Sequence, residues 1–296
     1  MRKAFILGAG LGTRLRPLTN TLPKPLIPLH NRPLVTHALD HCLAAGLTDI
    51  AINTHHLPEA WERAFPDKRY KEASLSFFHE PELLETGGGI KNIESWIAGE
   101  SLLIYNGDIL TDLSLRELIA THQAGANTAT LALRDSGPAL HIATDGSRIT
   151  DIHQKVTGLP GTHQFTGLYC VEPELLSLIP PHEKISVIPA FLELIKANKL
   201  GAHLANDATW LDLGTRCAYL EAAFARKAKI HPSARISPSA RIENSWIGAD
   251  CQVYEQAVIT NSILWPGTEV LPAARLDHCI VHSPQAVHGQ HEDSDL

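Results

Sequence analysis

The 296 residues are 44% hydrophobic and 19% charged, the composition of a globular chain of one or two domains, and no apolar run approaches the roughly 18 residues of a membrane span. Twenty-five Lys and Arg against 32 Asp and Glu leave a formal charge of −7, the wrong sign for a non-specific nucleic-acid binder. Five scattered cysteines with no C-x-x-C spacing read as reduced, mostly buried thiols, and the short apolar burst after Met1-Arg2-Lys3 is no signal-peptide core, so a cytoplasmic protein without membrane association is expected.

In chain order, Lys3–Leu7 is a strand running into the glycine loop Gly8–Gly12. Apolar residues at helical spacing over Pro33–Ala45, stopped by Gly46, predict a helix with a glycine C-cap. Asp49–Asn53 follows as a strand, Pro58–Phe65 as a short helix, and Ser74–His79 and Ser101–Tyr105 as further strands. Ser114-Leu115-Arg116-Glu117 is a capping box opening a helix toward Gly125. Strands alternating with helices imply an α/β fold, a doubly wound and mainly parallel sheet, over residues 1–229.

The pattern changes after Lys229. Ile230, Ile236 and Ile242 recur every six residues, and the beat continues loosely through Ile247, Val253, Ile259, Leu264, Val270 and Leu276. A hexapeptide period predicts a short parallel β-helix over 230–283, with the isoleucine-type position pointing inward. Residues 284–296, with the acidic run Glu292-Asp293-Ser294-Asp295, are expected to form a disordered tail.

Chemistry concentrates in a few motifs. In Leu7-Gly8-Ala9-Gly10-Leu11-Gly12-Thr13-Arg14, glycines after a first strand allow backbone N–H groups to approach a phosphate that a β-carbon would keep away. The dinucleotide fingerprint fails because Thr13 stands at its third glycine, and no Gly-Lys-Ser/Thr follows to make a P-loop. What remains is a glycine loop with a guanidinium, Arg14, suited to a polyphosphate. In Pro23-Lys24-Pro25 the two prolines preset the backbone around an ammonium that can face an anion.

Leu7–Thr19 followed by Pro23–Pro28 resembles the signature of the sugar-1-phosphate nucleotidylyltransferases. Three later segments match that family in order: Glu85-Thr86-Gly87-Gly88-Gly89, Asn106-Gly107-Asp108, and Trp210-Leu211-Asp212-Leu213-Gly214-Thr215. The Glu-Thr-Gly-Gly-Gly turn is most similar to the N-acetylmuramate 1-phosphate uridylyltransferase branch. The hexapeptide segment instead resembles the left-handed β-helix appended to mannose-1-phosphate guanylyltransferases. The resemblance implies transfer of a nucleotidyl group from an NTP to a sugar 1-phosphate with Mg²⁺. It implies UTP with an amino-sugar or N-acetylmuramate-type phosphate first, and GTP with mannose or heptose 1-phosphate as the alternative.

Carried over residue by residue, Arg14 and Lys24 would hold phosphates, and Asp108 and Asp212 the metal. Leu7, Gly8, Ala9, Gly10, Gly12, Thr13, Thr86, Gly87 and Gly88 would cradle the nucleotide. Asn106, Gly107, Lys155, Thr166 and Gly167 would line the sugar-phosphate side. Two departures from the family stand here: Lys155 lies in His153-Gln154-Lys155-Val156 instead of a Glu-Lys-Pro context, and Phe165 stands where relatives carry an asparagine. Asp108 follows an apolar strand, where ligand sites of open α/β sheets lie, whereas Asp112 reads as a turn aspartate. A homo-oligomer through the β-helix is a further expectation. The rivals are a catalytically silent nucleotide-sugar sensor, and a bifunctional enzyme whose β-helix acylates a sugar with His231, His278 or His282 as base.

Overall fold

A computed structural model of the chain describes residues 1–283 and 285–296. The chain divides into two compact units, one of Met1–Leu11, Pro23–Pro25 and Val35–Asp212, the other of Gly12–Leu22, Leu26–Leu34 and Leu213–Leu296. Two N-terminal segments thus belong with the C-terminal unit.

The first unit is built on a ten-stranded sheet. Its strands are β1 (Lys3–Leu7), β2 (Asp49–Thr54), β3 (Arg69–Tyr70), β4 (Ala73–His79), β5 (Leu102–Asn106), β6 (Ala129–Arg134), β7 (Ile142–Asp145), β8 (Arg148–Ile152), β9 (Gln164–Val171) and β10 (Leu200–Leu204). They run in the order β7-β8-β10-β6-β9-β5-β1-β2-β4-β3. β5, β1, β2 and β4 are mutually parallel, as are β6 and β10. β9 enters antiparallel between β5 and β6. Ala4, Phe5 and Ile6 of β1 are wholly buried, because a parallel strand in mid-sheet is covered on both faces; this is why its sequence reads as a continuous apolar run. The helix Val35–Ala44 ends as predicted: Gly46 takes φ 87°, and the Leu47 N–H donates to the Cys42 carbonyl at 3.0 Å, closing a Schellman motif. Ser114 caps the helix Leu115–Ala124, its hydroxyl accepting the Glu117 N–H at 3.3 Å. Among the described residues no helix is long and apolar enough to cross a membrane.

The second unit contains the β-helix. Three parallel sheets form its sides: Arg235 pairs with Gln252, Arg241 with Val258 and Trp246 with Ile263, each partner 17 residues on. A coil of three hexapeptides would need 18. One side of each coil is a residue short, so the inward positions step by six, six and five, and the beat seen from sequence is loose for that reason. Ile247, Val253, Ile259, Leu264, Val270, Leu276 and Val281 point into a continuous core. Ile230, at the open first coil, stays 47% exposed.

The expected disordered tail is corrected by the structure. Gln290–Glu292 adds a strand to Arg275–Asp277, and the Leu296 N–H donates to the Ile280 carbonyl at 2.9 Å. The preceding coil leaves a row of unpaired backbone groups that the tail satisfies, and Arg216 holds the Asp295 carboxylate at 2.7 Å. Within this unit the helix Arg216–Phe224 is bound to the β-helix and to the segment before it: the Tyr219 hydroxyl donates to the Pro28 carbonyl, and the Trp265 indole N–H donates to Tyr219 at 3.2 Å. The Trp246 indole donates to the Ala223 carbonyl at 2.9 Å. A chain ending at Lys229 would strip Trp265 from buried Tyr219 and Trp246 from buried Ala223. It is expected to melt earlier than the full chain and to precipitate, as thermal scans and solubility of the truncated protein would show.

Candidate active site

The site grows out of the carboxyl ends of three parallel strands. Leu7, the last residue of β1, stands in register with Asn53 of β2 on one side and Asn106 of β5 on the other. The chain leaves the sheet beyond this row, and a cavity of about 360 Å³ opens there, where open α/β sheets bind ligands. Its walls include Leu7, Gly8, Ala9, Gly10, Lys24, Thr86, Asn106 and Asp108 from the sequence reading, together with Pro25, Asn53, Leu83, Glu85 and Ser186.

The charged end of the cavity is set by Lys24, Asp108 and Asp212. Asp108 follows β5, and Asp212 ends the strand Trp210–Asp212, which pairs antiparallel with Ile109–Thr111 so that Asp212 lies opposite Ile109. Two aspartates more than a hundred residues apart in sequence are thereby brought side by side. Lys24 lies between them, its ammonium 2.6 Å from Asp108 Oδ2 and 3.9 Å from Asp212 Oδ1. The Lys24 side chain is only 8% exposed. Asp212 Oδ1 is buried and accepts no hydrogen bond, although the Trp210 indole anchors its strand by donating to the Thr166 carbonyl at 2.8 Å. An orphaned carboxylate oxygen beside a second carboxylate suits a hard divalent cation whose remaining ligands are water or phosphate oxygens. Among the described residues no group of three or more His, Cys, Asp or Glu could by itself hold a metal.

The opposite wall is held by a buried relay that sequence reasoning missed. The Gly8 N–H donates to Asn53 Oδ1 at 2.7 Å, and Asn53 Nδ2 donates to Glu80 Oε1 at 2.7 Å. Glu80, wholly buried, also accepts the Leu84 N–H through Oε2 at 3.0 Å. The relay fixes the glycine loop relative to the start of the helix Glu85–Asn92. Its only sequence signal is a polar residue, Asn53, closing an apolar strand at a carboxyl end.

Gly87 and Gly88 do not face the cavity as expected. A β-carbon on Gly87 would lie 2.8 Å from the Ser186 carbonyl oxygen, and one on Gly88 would lie 2.4 Å from that of Glu183. These glycines let the helix pack against the 183–187 backbone, where the Gly88 N–H donates to Ile185 O at 3.0 Å and the Val187 N–H donates to Thr86 Oγ1 at 3.0 Å. Thr86, and beside it Glu85, line the cavity instead. At Gly10, by contrast, a β-carbon would meet nothing within 4 Å.

Other expected residues take supporting places. Gly107 donates its N–H to Leu7 O at 3.0 Å. Thr166 is buried with its hydroxyl on the Ala132 carbonyl, and Gly167 backs against the Asn106 side chain at φ 84°. Lys155 is exposed and outside the cavity wall. Its loop is held by Asp151: burial raises that carboxyl's pKa, but the amide and hydroxyl of Thr157 and the amides of Val156 and Lys155 outweigh it and hold the pKa at about 2. Gly12, Thr13 and Arg14 belong to the second unit, where Thr13–Leu15 is a short 3₁₀ turn and Arg14 is exposed. Asp112, read from sequence as a turn aspartate, instead accepts the N–H of distant Thr209 at 2.7 Å. All five cysteines are free thiols, and only Cys217 is exposed.

A parallel-strand cleft with a glycine loop on one side and a lysine between two carboxylates on the other is the arrangement of an α/β enzyme that handles nucleotide phosphates. The family model for nucleotidyl transferase matches residues 3–228, and the chain belongs to that family. It is similar to the mannose-1-phosphate guanylyltransferase of Mycobacterium tuberculosis, 28% identical over 284 residues, covering 94% of this chain and 79% of that protein. It is similar also to the mannose-1-phosphate guanyltransferase of Hypocrea jecorina, 28% identical over 265 residues, covering 79% and 72%. The UTP–glucose-1-phosphate uridylyltransferase of a Synechocystis species is 25% identical over 331 residues, covering 93% and 85%.

Proposed function

We propose that the protein transfers a guanylyl group from GTP to mannose 1-phosphate or a similar hexose or heptose 1-phosphate. A phosphate oxygen of the sugar attacks the α-phosphorus in line. The bond to the β-phosphate oxygen breaks, and pyrophosphate leaves with its electron pair. The nucleophile is already an anion, so no side chain has to take a proton. The chain's work is alignment and neutralisation. Lys24 and the backbone of Gly8–Gly10 hold the phosphates. Asp108 and Asp212 would hold a divalent cation, Mg²⁺, which when bound neutralises charge on the transferring phosphoryl group. Asn106 orients the sugar phosphate from the strand end.

This ordering reverses the one drawn from the Glu-Thr-Gly-Gly-Gly resemblance, which put UTP and an N-acetylmuramate-type phosphate first. The guanylyltransferase relatives support the change, and the observation that carries it is the polarity of the cavity. The phosphates belong at the Lys24 end, which leaves the base to the wall of Leu83, Glu85 and Thr86. A carboxylate there repels phosphate and suits a base with two adjacent donors. Guanine presents N1–H beside its 2-amino group; uracil offers a single N–H between two carbonyls. A uridylyl reading with glucose 1-phosphate is supported by the Synechocystis relative and ranks second.

The test is pyrophosphate release across four NTPs and several sugar 1-phosphates, with GTP and mannose 1-phosphate expected to give the highest kcat/KM. ITP, which lacks the 2-amino group, should be about tenfold poorer than GTP, the worth of one hydrogen bond to a charged acceptor. That gap should close in Glu85→Gln. Preference for UTP over GTP would overturn the guanylyl reading.

A further inference from the structure

We infer that Lys24 is the placeholder cation of the metal site, so that Asp108 and Asp212 accept a divalent ion only together with the nucleotide that draws Lys24 away. The inference rests on reading those aspartates as the metal ligands. Its evidence is the resting geometry: the ammonium touches Asp108 at 2.6 Å and stands 3.9 Å from Asp212 Oδ1, an oxygen that accepts no hydrogen bond.

Three physical consequences follow from that placement. Two adjacent carboxylates would repel one another, and the ammonium offsets much of their charge at rest. A bare divalent ion arriving alone has to displace Lys24 from this contact. The lysine side chain is 8% exposed, so a displaced ammonium would be left buried with no anion, the costly way to break an ion pair. A nucleotide changes the balance because its phosphates offer Lys24 a new anionic partner as the carboxylates become free. The movement needed is small. Pro23 and Pro25 fix the backbone on either side, so only the flexible side chain has to turn from carboxylate to phosphate. Metal and nucleotide then bind with positive coupling, and by linkage each raises the other's affinity by the same factor.

The test uses Mn²⁺ as probe, its binding to the full chain followed by the electron spin resonance of the free ion. Wild-type protein without nucleotide should bind Mn²⁺ with Kd about 1 mM or weaker, in the range of poorly charged cation sites. Addition of a non-hydrolysable α,β-methylene GTP should tighten that at least about tenfold, beyond the Mn²⁺ held by the nucleotide alone. Lys24→Met keeps the length of the stem and removes the charge, and should bind Mn²⁺ without nucleotide at least about tenfold tighter than wild type. Adding Asp108→Asn to Lys24→Met should abolish the gain. Equal Mn²⁺ affinity in wild type and in a folded Lys24→Met overturns the inference. So does a wild-type chain that binds Mn²⁺ as tightly without nucleotide as with it, a measurement that needs no variant. Loss of the nucleotide-dependent Mn²⁺ in Asp108→Asn with no gain in Lys24→Met leaves the metal-ligand reading standing and removes the placeholder role. Unchanged Mn²⁺ binding in Asp108→Asn would remove both.

Discussion

Asp108→Asn is expected to lower turnover roughly a thousandfold, the scale seen when one preorganised electrostatic contact to a reacting group is removed, while leaving the fold intact. Asparagine keeps the shape of the side chain and one oxygen able to accept from Lys24, so the packing around the β5 strand end is preserved. What disappears is the negative charge from which a hard cation takes most of its binding energy. Raising the Mg²⁺ concentration should therefore recover part of the activity, which a purely structural defect would not allow. Asp112→Asn is the matched control. Its Oδ1 accepts the Thr209 N–H at 2.7 Å, a role the asparagine oxygen fills as well, so its rates should stay near wild type. The comparison is made by pyrophosphate release across a Mg²⁺ titration. Equal losses at the two positions would mean that the metal lies at another strand end.

The contrast between these neighbouring aspartates shows what a sequence carries. Local signals were legible because they act within a turn or two: the apolar run of β1, the Gly46 stop, the Ser114 cap and the stepping isoleucines of the β-helix each bury or satisfy their own neighbourhood. Asp108 was legible because it follows an apolar strand, and Asp212 because a family motif surrounds it. That the two meet depends on the pairing of Ile109–Thr111 with Trp210–Asp212, which no local pattern encodes.

The same limit hid the Gly8–Asn53–Glu80 relay, whose members come from separate strands and connections. It also hid the flanking strands β6 to β10, where antiparallel insertions break the alternation of strand and helix. The terminal coil was misread for a different reason. Its sequence is polar and acidic because it adds few apolar side chains to the β-helix core, Val287 buried and Leu296 packed against it; backbone pairing and Arg216 hold it as well. Resemblance to a family turn gives Gly87 and Gly88 to the nucleotide, yet their bare faces meet the chain's own carbonyls.

That last distinction predicts opposite failures for two glycines of the same site. Gly88→Ala forces a β-carbon to 2.4 Å from the Glu183 carbonyl oxygen and 2.9 Å from Leu84 Cβ. Backbone cannot give way there without moving the helix Glu85–Asn92 off the 183–187 segment. The cost should be about 2–3 kcal/mol, as for overpacked cores, and for a protein of this size a lowering of Tm by roughly 3–5 °C. Activity at low temperature should fall as well, since Thr86 and Glu85 move with the helix. Gly10→Ala adds the same methyl group where nothing lies within 4 Å, so its Tm should match wild type. The methyl instead occupies space on the cavity wall into which a phosphate must come close, and a displacement of about 1 Å in the bound triphosphate is worth roughly a hundredfold in rate. The expected result is a stable Gly10→Ala protein with kcat/KM for the nucleotide down by that factor, beside an unstable Gly88→Ala protein. A fully active Gly10→Ala enzyme would show that the glycine loop does not touch the phosphates. A Gly88→Ala protein with unchanged Tm would place the glycine requirement back in the nucleotide pocket.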